Sequence, residues 1–555
     1  DHEATADDIE RPPEAFNLSD SEEMNAANNK DTSEGGKIKA LLNVLRRMIG
    51  VKDLAAIRLS LPANLLEPVP NLEYWNYMDR ADLFSVVGDL DDPLDRMLAV
   101  LRFTFTKELK FVHGKICKPY NSILGEFFQC HWDVQVPEDA EKVGYLPTMA
   151  LRVDSPSLLP LASAASSSGS SIKSGKASKS DRRTASTKGG SSKTRRGLSR
   201  LLTGTRNKVT PNSANSTANT DSSSNSLKSP ALSAQKPDQE VPDADNDDDD
   251  QSVAGSFKTS KSEAEGRRVC FLTEQVSHHP PISSFFVDCK DAGVQLRGVD
   301  QLSAKFTGTN IKIFPGDRNK GIFLGLTDKA RCGADGEEYQ ITHPTASING
   351  LLRGSLWVSV QNQVYVTCRG GKRANDNGKR LRAITEYKDE SWVGKAKYAL
   401  EGVVYEYEEE KEDPEQYTTI RDVPADRVIM TFEGTWKGQI HWKLKGEKES
   451  RLLIDLTELD PIKAIKVRPL ESQEEMESRK IWKDVTESIL NKEFGTATKH
   501  KQTIEQQQRE SAAERKRKGQ EFVPKFFDPN IDDGRPKLIE AGRAALDGEH
   551  ELAGY

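Results

Sequence analysis

The chain has 555 residues, 35% of them hydrophobic and 30% charged, with a formal net charge of −7. That is too polar for one uniformly packed body, so a folded part with long disordered parts is expected. No apolar run approaches the roughly 20 residues of a membrane-spanning helix, and six cysteines without CxxC spacing argue against a disulfide framework or zinc site and fit a reducing cytosol.

Residues 1–36 carry eleven acidic and two basic side chains and no apolar run, so no signal peptide is expected there and the segment is predicted to be disordered. From Lys37 the pattern changes. Ile38, Leu41, Leu42, Leu45, Met48 and Ile49 recur at helical spacing with Lys37, Lys39, Arg46 and Arg47 among them, which predicts a short amphipathic helix ending near Gly50. Such a helix either packs on a core or acts as a movable, membrane-touching lid. Residues 37–154 read as the first folded part. The insertion 155–265 is rich in Ser, Thr, Asn, Asp and Lys, too polar to offset its ordering entropy. It splits by charge: Lys173 to Lys208 holds twelve Lys/Arg and one acid, and Asp238 to Asp250 holds seven Asp, one Glu and no base. The basic half could attract an anionic membrane, or the whole could be a passive spacer or phosphorylation target.

Residues 266–535 read as the second folded part. Leu356 to Val360 and Val364 to Thr367 flank Gln361–Gln363 and read as a hairpin. Further β-rich runs follow over Trp392–Tyr407, Arg427–Leu444 and Leu452–Leu456. Many strands between Gly- and Asp-rich turns predict an antiparallel sheet curling into a barrel. Residues 474–517 predict two helices broken near Phe494-Gly495, and residues 536–555 a tail. The fold class is mainly β with α (α+β), a barrel with helices at both ends of the chain.

Three clusters could carry chemistry. In His278-His279-Pro280-Pro281 the prolines stiffen the backbone and hold two imidazoles in fixed directions, suited to phosphate oxygens. The pair could equally be structural, and a metal site needs more ligands than the sequence supplies nearby. Lys118-Pro119-Tyr120-Asn121 offers a charge and an amide at one turn; its plain alternative is a polar turn entering a strand. Lys501, Glu505 and Arg509, at i, i+4 and i+8, share one helix face, where Glu505 could hold both cations; a solvated face explains the same spacing. No nucleophile–base pair, paired carboxylates or glycine-rich phosphate loop is present, so the polar inventory suits binding of a phosphorylated ligand and not catalysis.

Together these clusters resemble the oxysterol-binding protein-related family. The octapeptide Glu274-Gln-Val-Ser-His-His-Pro-Pro281 matches that family's signature, and Phe522-Val-Pro-Lys-Phe-Phe527 is similar to its domain end. The resemblance implies an incomplete antiparallel β-barrel with a hydrophobic lipid tunnel, an N-terminal helical lid and C-terminal helices. It implies a lipid transfer protein, not an enzyme, that needs no cofactor and extracts phosphatidylinositol 4-phosphate alternately with a second lipid. His278 and His279 would contact the 4-phosphate, Lys118 and Asn121 the inositol phosphate, and Lys501 and Arg509 would add charge with Glu505 orienting them. The run from Leu59 to Pro68, with Asn71 to Asn76, looks closest to the fungal phosphatidylserine-transferring branch. Leu59, Leu61 and Leu65 would then line the tunnel under the lid, with Ser303 near the serine headgroup. A sterol is the alternative second lipid. The resemblance further implies a cytoplasmic protein, peripheral at endoplasmic reticulum–plasma membrane contact sites, touching anionic membranes transiently and binding no nucleic acid.

Overall fold

The computed structural model describes residues 41, 42, 45, 46, 53, 54, 61, 63–113, 118–136, 265–371, 378–390, 396–462 and 465–552. The expected disorder of 1–36 and of most of the insertion 155–265 therefore concerns residues outside those described. All described residues belong to one unit, formed by residues 1–167 and 261–555.

Short helices open the described fold: α1 (Asn71–Tyr74), α2 (Ala81–Ser85), α3 (Pro93–Thr106) and α4 (Lys110–His113). Helix α3 starts sharply because Asp92 accepts from the Leu94 and Asp95 amides and Pro93 occupies the first turn. It is apolar nearly all round, and ten of its fourteen residues are buried, so it lies inside the main core. Its two arginines are pinned: Arg96 makes a bidentate pair with Glu337 at 2.8 and 3.1 Å, and Arg102 donates to the Leu453 carbonyl at 3.0 Å.

Among the described residues, sixteen strands follow. They are β1 (Phe127–Val136), β2 (Glu265–His278), β3 (Pro281–Cys289), β4 (Val294–Asp300), β5 (Leu302–Phe306), β6 (Ile311–Pro315), β7 (Ile322–Leu326) and β8 (Glu337–Ile341). Then come β9 (Thr345–Asn349), β10 (Trp357–Gln361), β11 (Gln363–Gly370), β12 (Lys379–Tyr387), β13 (Ala399–Glu408), β14 (Val428–Thr435), β15 (Gln439–Leu444) and β16 (Arg451–Asp455). Twelve of them form one antiparallel sheet in the order β1-β2-β3-β4-β7-β8-β11-β12-β13-β14-β15-β16. The remaining four leave the meander and build a small sheet, β10-β9-β6-β5. Close approach within the large sheet is locally tuned: Gly402 faces Phe432 across β13 and β14, and a Cβ there would collide with the ring.

Among the described residues the large sheet does not close strand on strand. Edge strand β1 is met instead by the segment after β16: the His131 amide donates to Lys466 at 3.0 Å, Lys466 returns the bond at 2.9 Å, and Phe127 donates to Met476 at 3.0 Å. The result is the expected incomplete barrel. The expected hairpin at Gln361–Gln363 does not form. β10 pairs with β9 in the small sheet, whereas β11 pairs with β8 and β12 in the large one. One residue, Asn362 at φ 71°, separates them, which redirects a strand but is too short to reverse it.

Four helices end the chain: α5 (Ser478–Ile481), α6 (Lys483–Leu490), α7 (Phe494–Lys518) and α8 (Glu540–Glu551). The expected break near Phe494 falls just before it, at Asn491–Glu493, where Lys492 has φ 62°. The stretch 536–555, read as a tail, contains α8, which packs on β1 and β2; His131 Nδ1 lies 2.6 Å from Glu549 and His550 3.2 Å from Asp288. A second core joins the N-terminal segment to these helices. Leu41, Leu42, Leu45 and Arg46 are helical, and Leu42 and Leu45 are buried with Leu61, Tyr120, Phe306, Leu351, Trp482 and Val485. The segment is also tied to β5, with Leu54 donating to the Ala304 carbonyl and the Ala304 amide to Asp53.

Glu274 is buried, and its carboxylate accepts from the Lys525 and Phe526 amides at 2.7 and 2.9 Å, which fastens the Phe522–Phe527 segment. Glu274→Ala leaves those donors unpaired and is expected to lower stability by about 2 kcal/mol or more in urea unfolding. Burial pushes the Glu126 carboxyl up to about 7, against the bonds it accepts from Ile123 and Ser478. Between its ordinary value and 7 the folded state holds a proton that the unfolded state lacks, so this group's contribution to stability falls as pH rises through that window. Glu126→Gln should therefore make the stability–pH slope less negative between pH 5 and 7.

Candidate functional site

The loop before β1 is fastened from both sides. Glu67 donates to the Lys118 carbonyl and Tyr120 to that of Val69, while the Tyr120 ring lies 5.0 Å from Trp482 and its hydroxyl 3.0 Å from the Thr486 hydroxyl on α6. With Tyr120 turned inward, Lys118 and Asn121 are exposed. The two side chains meet: Lys118 Nζ donates to Asn121 Oδ1 at 2.6 Å and to the Pro119 carbonyl at 2.9 Å.

The histidines occupy the β2–β3 turn. His278 ends β2 and pairs with Pro281, which begins β3. The His279–Pro280 peptide is cis, and the Ser277 hydroxyl donates to the Pro280 carbonyl at 2.8 Å. The two rings lie 4.2 Å apart, with His278 half-buried and His279 exposed. Gly125 donates to the Gln275 carbonyl at 2.9 Å, and Gln275 donates to that of Glu126 at 2.8 Å. Those bonds set the entry to β1 beside the end of β2, so the loop that carries Lys118 and the histidine turn leave the sheet at the same end.

Helix α7 carries the third cluster and packs along α6. Lys501 is buried and pairs with Glu505 at 2.7 Å. Arg509 is exposed, and its Nε donates to Gln506 at 2.9 Å, so the side chain that Glu505 meets in this stripe is Lys501. The link from α7 to the Lys118 loop runs through α6, by way of Thr486 and Tyr120. Of the second-lipid residues, Leu61 is buried in the second core, Leu65 is half-buried, and Leu59 lies outside the described residues. Ser303 is buried on β5 opposite Phe314; strand alternation turns it away from the face on which Ala304 and Phe306 join the second core.

Sequence reading missed a polar cluster inside the main body. The Tyr77 hydroxyl donates to Asp300 at 2.6 Å, Lys107 pairs with Glu108 at 2.7 Å, and the His343 ring lies 5.6 Å from that of Tyr77. Burial pushes the Asp300 carboxyl up to about 7 and, helped by the Lys107 charge, the His343 imidazole down to about 4. Asp300, His343, Glu108 and Tyr387 are half-buried around this cluster. No local signal announced it, because its members come from five separate stretches of chain.

The polar groups described above can bind and orient anionic and hydroxyl groups. The chain matches the family model for oxysterol-binding protein over residues 40–167 and 255–496. It is 39% identical over 522 residues to oxysterol-binding protein-like protein 1 of Schizosaccharomyces pombe, covering 93% of this chain and 91% of that one. To oxysterol-binding protein-related protein 9 of Xenopus tropicalis it is 24% identical, over 95% of this chain and 53% of that one. In fold it is similar to the crystal structure of the Osh1 ORD domain in complex with cholesterol, with a TM-score of 0.51 at 14% identity, covering 95% of this chain and 90% of that one. With the family model spanning both folded parts and a relative of such identity along nearly the whole chain, the protein belongs to the oxysterol-binding protein family.

Proposed function

We propose that the protein transfers lipids between membranes, exchanging phosphatidylinositol 4-phosphate for phosphatidylserine. Residues 37–154 and 266–535 make the transfer domain, and 155–265 is an insertion looping out of it. The observation that supports the reading most is the pair of Gly125 and Gln275 backbone bonds, which tie the chain just after the Lys118–Asn121 pair to the strand just before the His278–His279 turn, from opposite sides of that insertion. In this reading His278 and His279 contact the 4-phosphate, Lys118 and Asn121 the inositol phosphate, and the Lys501–Glu505 pair with Arg509 adds cationic charge. Imidazoles and an ammonium group bind phosphate by charge-assisted hydrogen bonds, and a bound phosphate in turn favours the charged imidazole.

The acyl chains would enter a tunnel inside the sheet, driven by apolar burial, beneath the N-terminal helix. Leu61 and Leu65, with Leu59, would face them there, and Ser303 would serve the second headgroup. Two lipids that share one tunnel displace each other, and this competition makes the traffic an exchange. The protein would work in the cytoplasm, touching anionic membranes transiently at endoplasmic reticulum–plasma membrane contacts. A sterol as second lipid is favoured by one observation: the Tyr77–Asp300 bond and its neighbours give the interior a polar end that a hydroxyl suits better than a methyl terminus.

The double substitution His278→Ala with His279→Ala should abolish phosphoinositide extraction from liposomes while phosphatidylserine extraction largely survives; unchanged phosphoinositide extraction would overturn the site. Mass spectrometry of the co-purified lipid identifies the second ligand. Leu61→Asp, which places a charge among apolar side chains, should selectively damage phosphatidylserine transfer. If the second lipid is a sterol, Asp300→Leu should instead weaken sterol capture, with phosphoinositide binding intact.

A further inference from the structure

The small sheet carries a feature that lipid binding inside the barrel does not use. Between β9 and β10 the chain turns tightly through residues 350–355. The Arg353 and Ser355 amides both donate to the Gly350 carbonyl, at 3.0 and 3.3 Å. Gly350 has φ +82° and Gly354 φ +70°, and a Cβ on Gly350 would collide with the Ser355 carbonyl, so the turn is tightly determined. It splits two adjacent leucines. Leu351 is 2% exposed and packs with Leu42, Leu45 and Leu61, whereas Leu352 is 58% exposed and stands out beside exposed Arg353. The pairing of Ile311 with Ile348 sets the β5–β6 tip, Thr307 to Asn310, next to this turn.

The small sheet itself carries charge of one sign, with the Asp53 carboxylate bound to the Ala304 amide at its β5 edge. The two arms of the small sheet, residues 302–315 and 345–361, contain Lys305, Lys312 and Arg353 and no Asp or Glu. Across the chain 86 of 555 residues are acidic, so thirty-one consecutive-arm positions without one depart from the composition. Lys305 and Lys312 are exposed and directly opposite each other, an unfavourable like-charge pair unless an anionic surface compensates it.

We propose that this turn is a membrane-docking finger: Leu352 enters the interface of an anionic bilayer while Arg353, Lys305 and Lys312 meet its headgroups. A bilayer fits better than a protein partner because one projecting side chain offers neither a groove nor the roughly 1,200–2,000 Å² of a stable protein interface. Arginine at such a depth keeps its charge in the headgroup layer while its stem covers apolar surface. The finger shares a core with the N-terminal helix through Leu351, so docking would hold the entry segment at the membrane. The proposal rests on the lipid-transfer reading.

The test uses the full chain and phosphatidylcholine vesicles with and without phosphatidylserine. Leu352→Asp should reduce binding to phosphatidylserine-containing vesicles about tenfold, the value of burying one leucine side chain. Lys305→Gln with Lys312→Gln should weaken binding to those vesicles only, and less so at high salt. In Leu352→Trp, vesicles should shift the reporter's fluorescence to the blue. Wild-type vesicle binding by Leu352→Asp, or no shift in Leu352→Trp, overturns the finger. Loss of a self-associated species in sedimentation with unchanged vesicle binding overturns it in favour of a contact between copies. Binding of a short-chain, water-soluble phosphoinositide tests the transfer reading separately: it should be equal in the wild type and Leu352→Asp, and its absence from both would sink that reading while leaving the vesicle result to judge the finger.

Discussion

The candidate site depends on how the backbone of β1 is satisfied. An edge strand of ten residues presents a row of donors and acceptors that cannot be left dry, and here both edges are served. One edge pairs with β2 along its whole length, so the loop that feeds β1 and the turn that ends β2 must share an end of the sheet. The other takes the segment around Lys466 and Met476, which carries the chain directly to α5, α6 and α7. Lys118 precedes β1, His278 ends β2 and Lys501 lies on the helix packed along α6, so these pairings fix the chain segments that carry the three side chains. An insertion in the β1–β2 connection is tolerable for the same reason: closing a longer loop costs entropy that grows only slowly with length, while the ladder that fixes the site stays unchanged.

Buried charge orients the interior elements against that sheet. Arg96 reaches Glu337 on β8, Arg102 reaches β16, and Arg267 on β2 binds Asp89 at 2.7 and 3.0 Å and the Ser85 carbonyl at 2.6 Å. Pairs this deep are weak sources of net stability, because desolvation offsets their attraction, but breaking one leaves an uncompensated charge. They therefore specify where α3 and the preceding turns sit more than they deepen the free-energy well. In the cluster around Tyr77 and Lys107, which are themselves buried, Asp300, Glu108 and His343 are half-buried.

The second core has a different character. It is built from short pieces, the helical Leu42 and Leu45, the Leu61–Leu66 stretch, and α6, and it is tied to the small sheet by the Asp53 and Leu54 bonds to Ala304. Elements held by few backbone bonds and a compact apolar contact can open without unfolding the main sheet. Leu42 and Leu45 give the N-terminal helix a packing role in this second core.

Much of the architecture was legible in the sequence, because apolar periodicity and composition are local properties. The helical spacing from Ile38 to Ile49, the polar insertion, the β-rich second part, the helices after residue 474 and the octapeptide ending in His278-His279-Pro280-Pro281 all follow from neighbours along the chain. Where local pattern was ambiguous, tertiary pairing decided. Two strands separated by Asn362 looked like a hairpin, and partners from β9 on one side and β8 and β12 on the other divided them between two sheets. The stripe of Lys501, Glu505 and Arg509 was correct as spacing, but side-chain rotamers gave Arg509 to Gln506. The interior cluster around Asp300 and the opposite fates of Leu351 and Leu352 had no sequence signal, since both depend on which distant surfaces cover a residue. The sequence by itself determined where apolar and β-rich stretches give way to a polar one, and which imidazole and cationic side chains stand close along the chain. Only the tertiary structure decided which of those side chains meet, because hydrogen bonds such as that between Gly125 and Gln275 join residues that no local pattern connects.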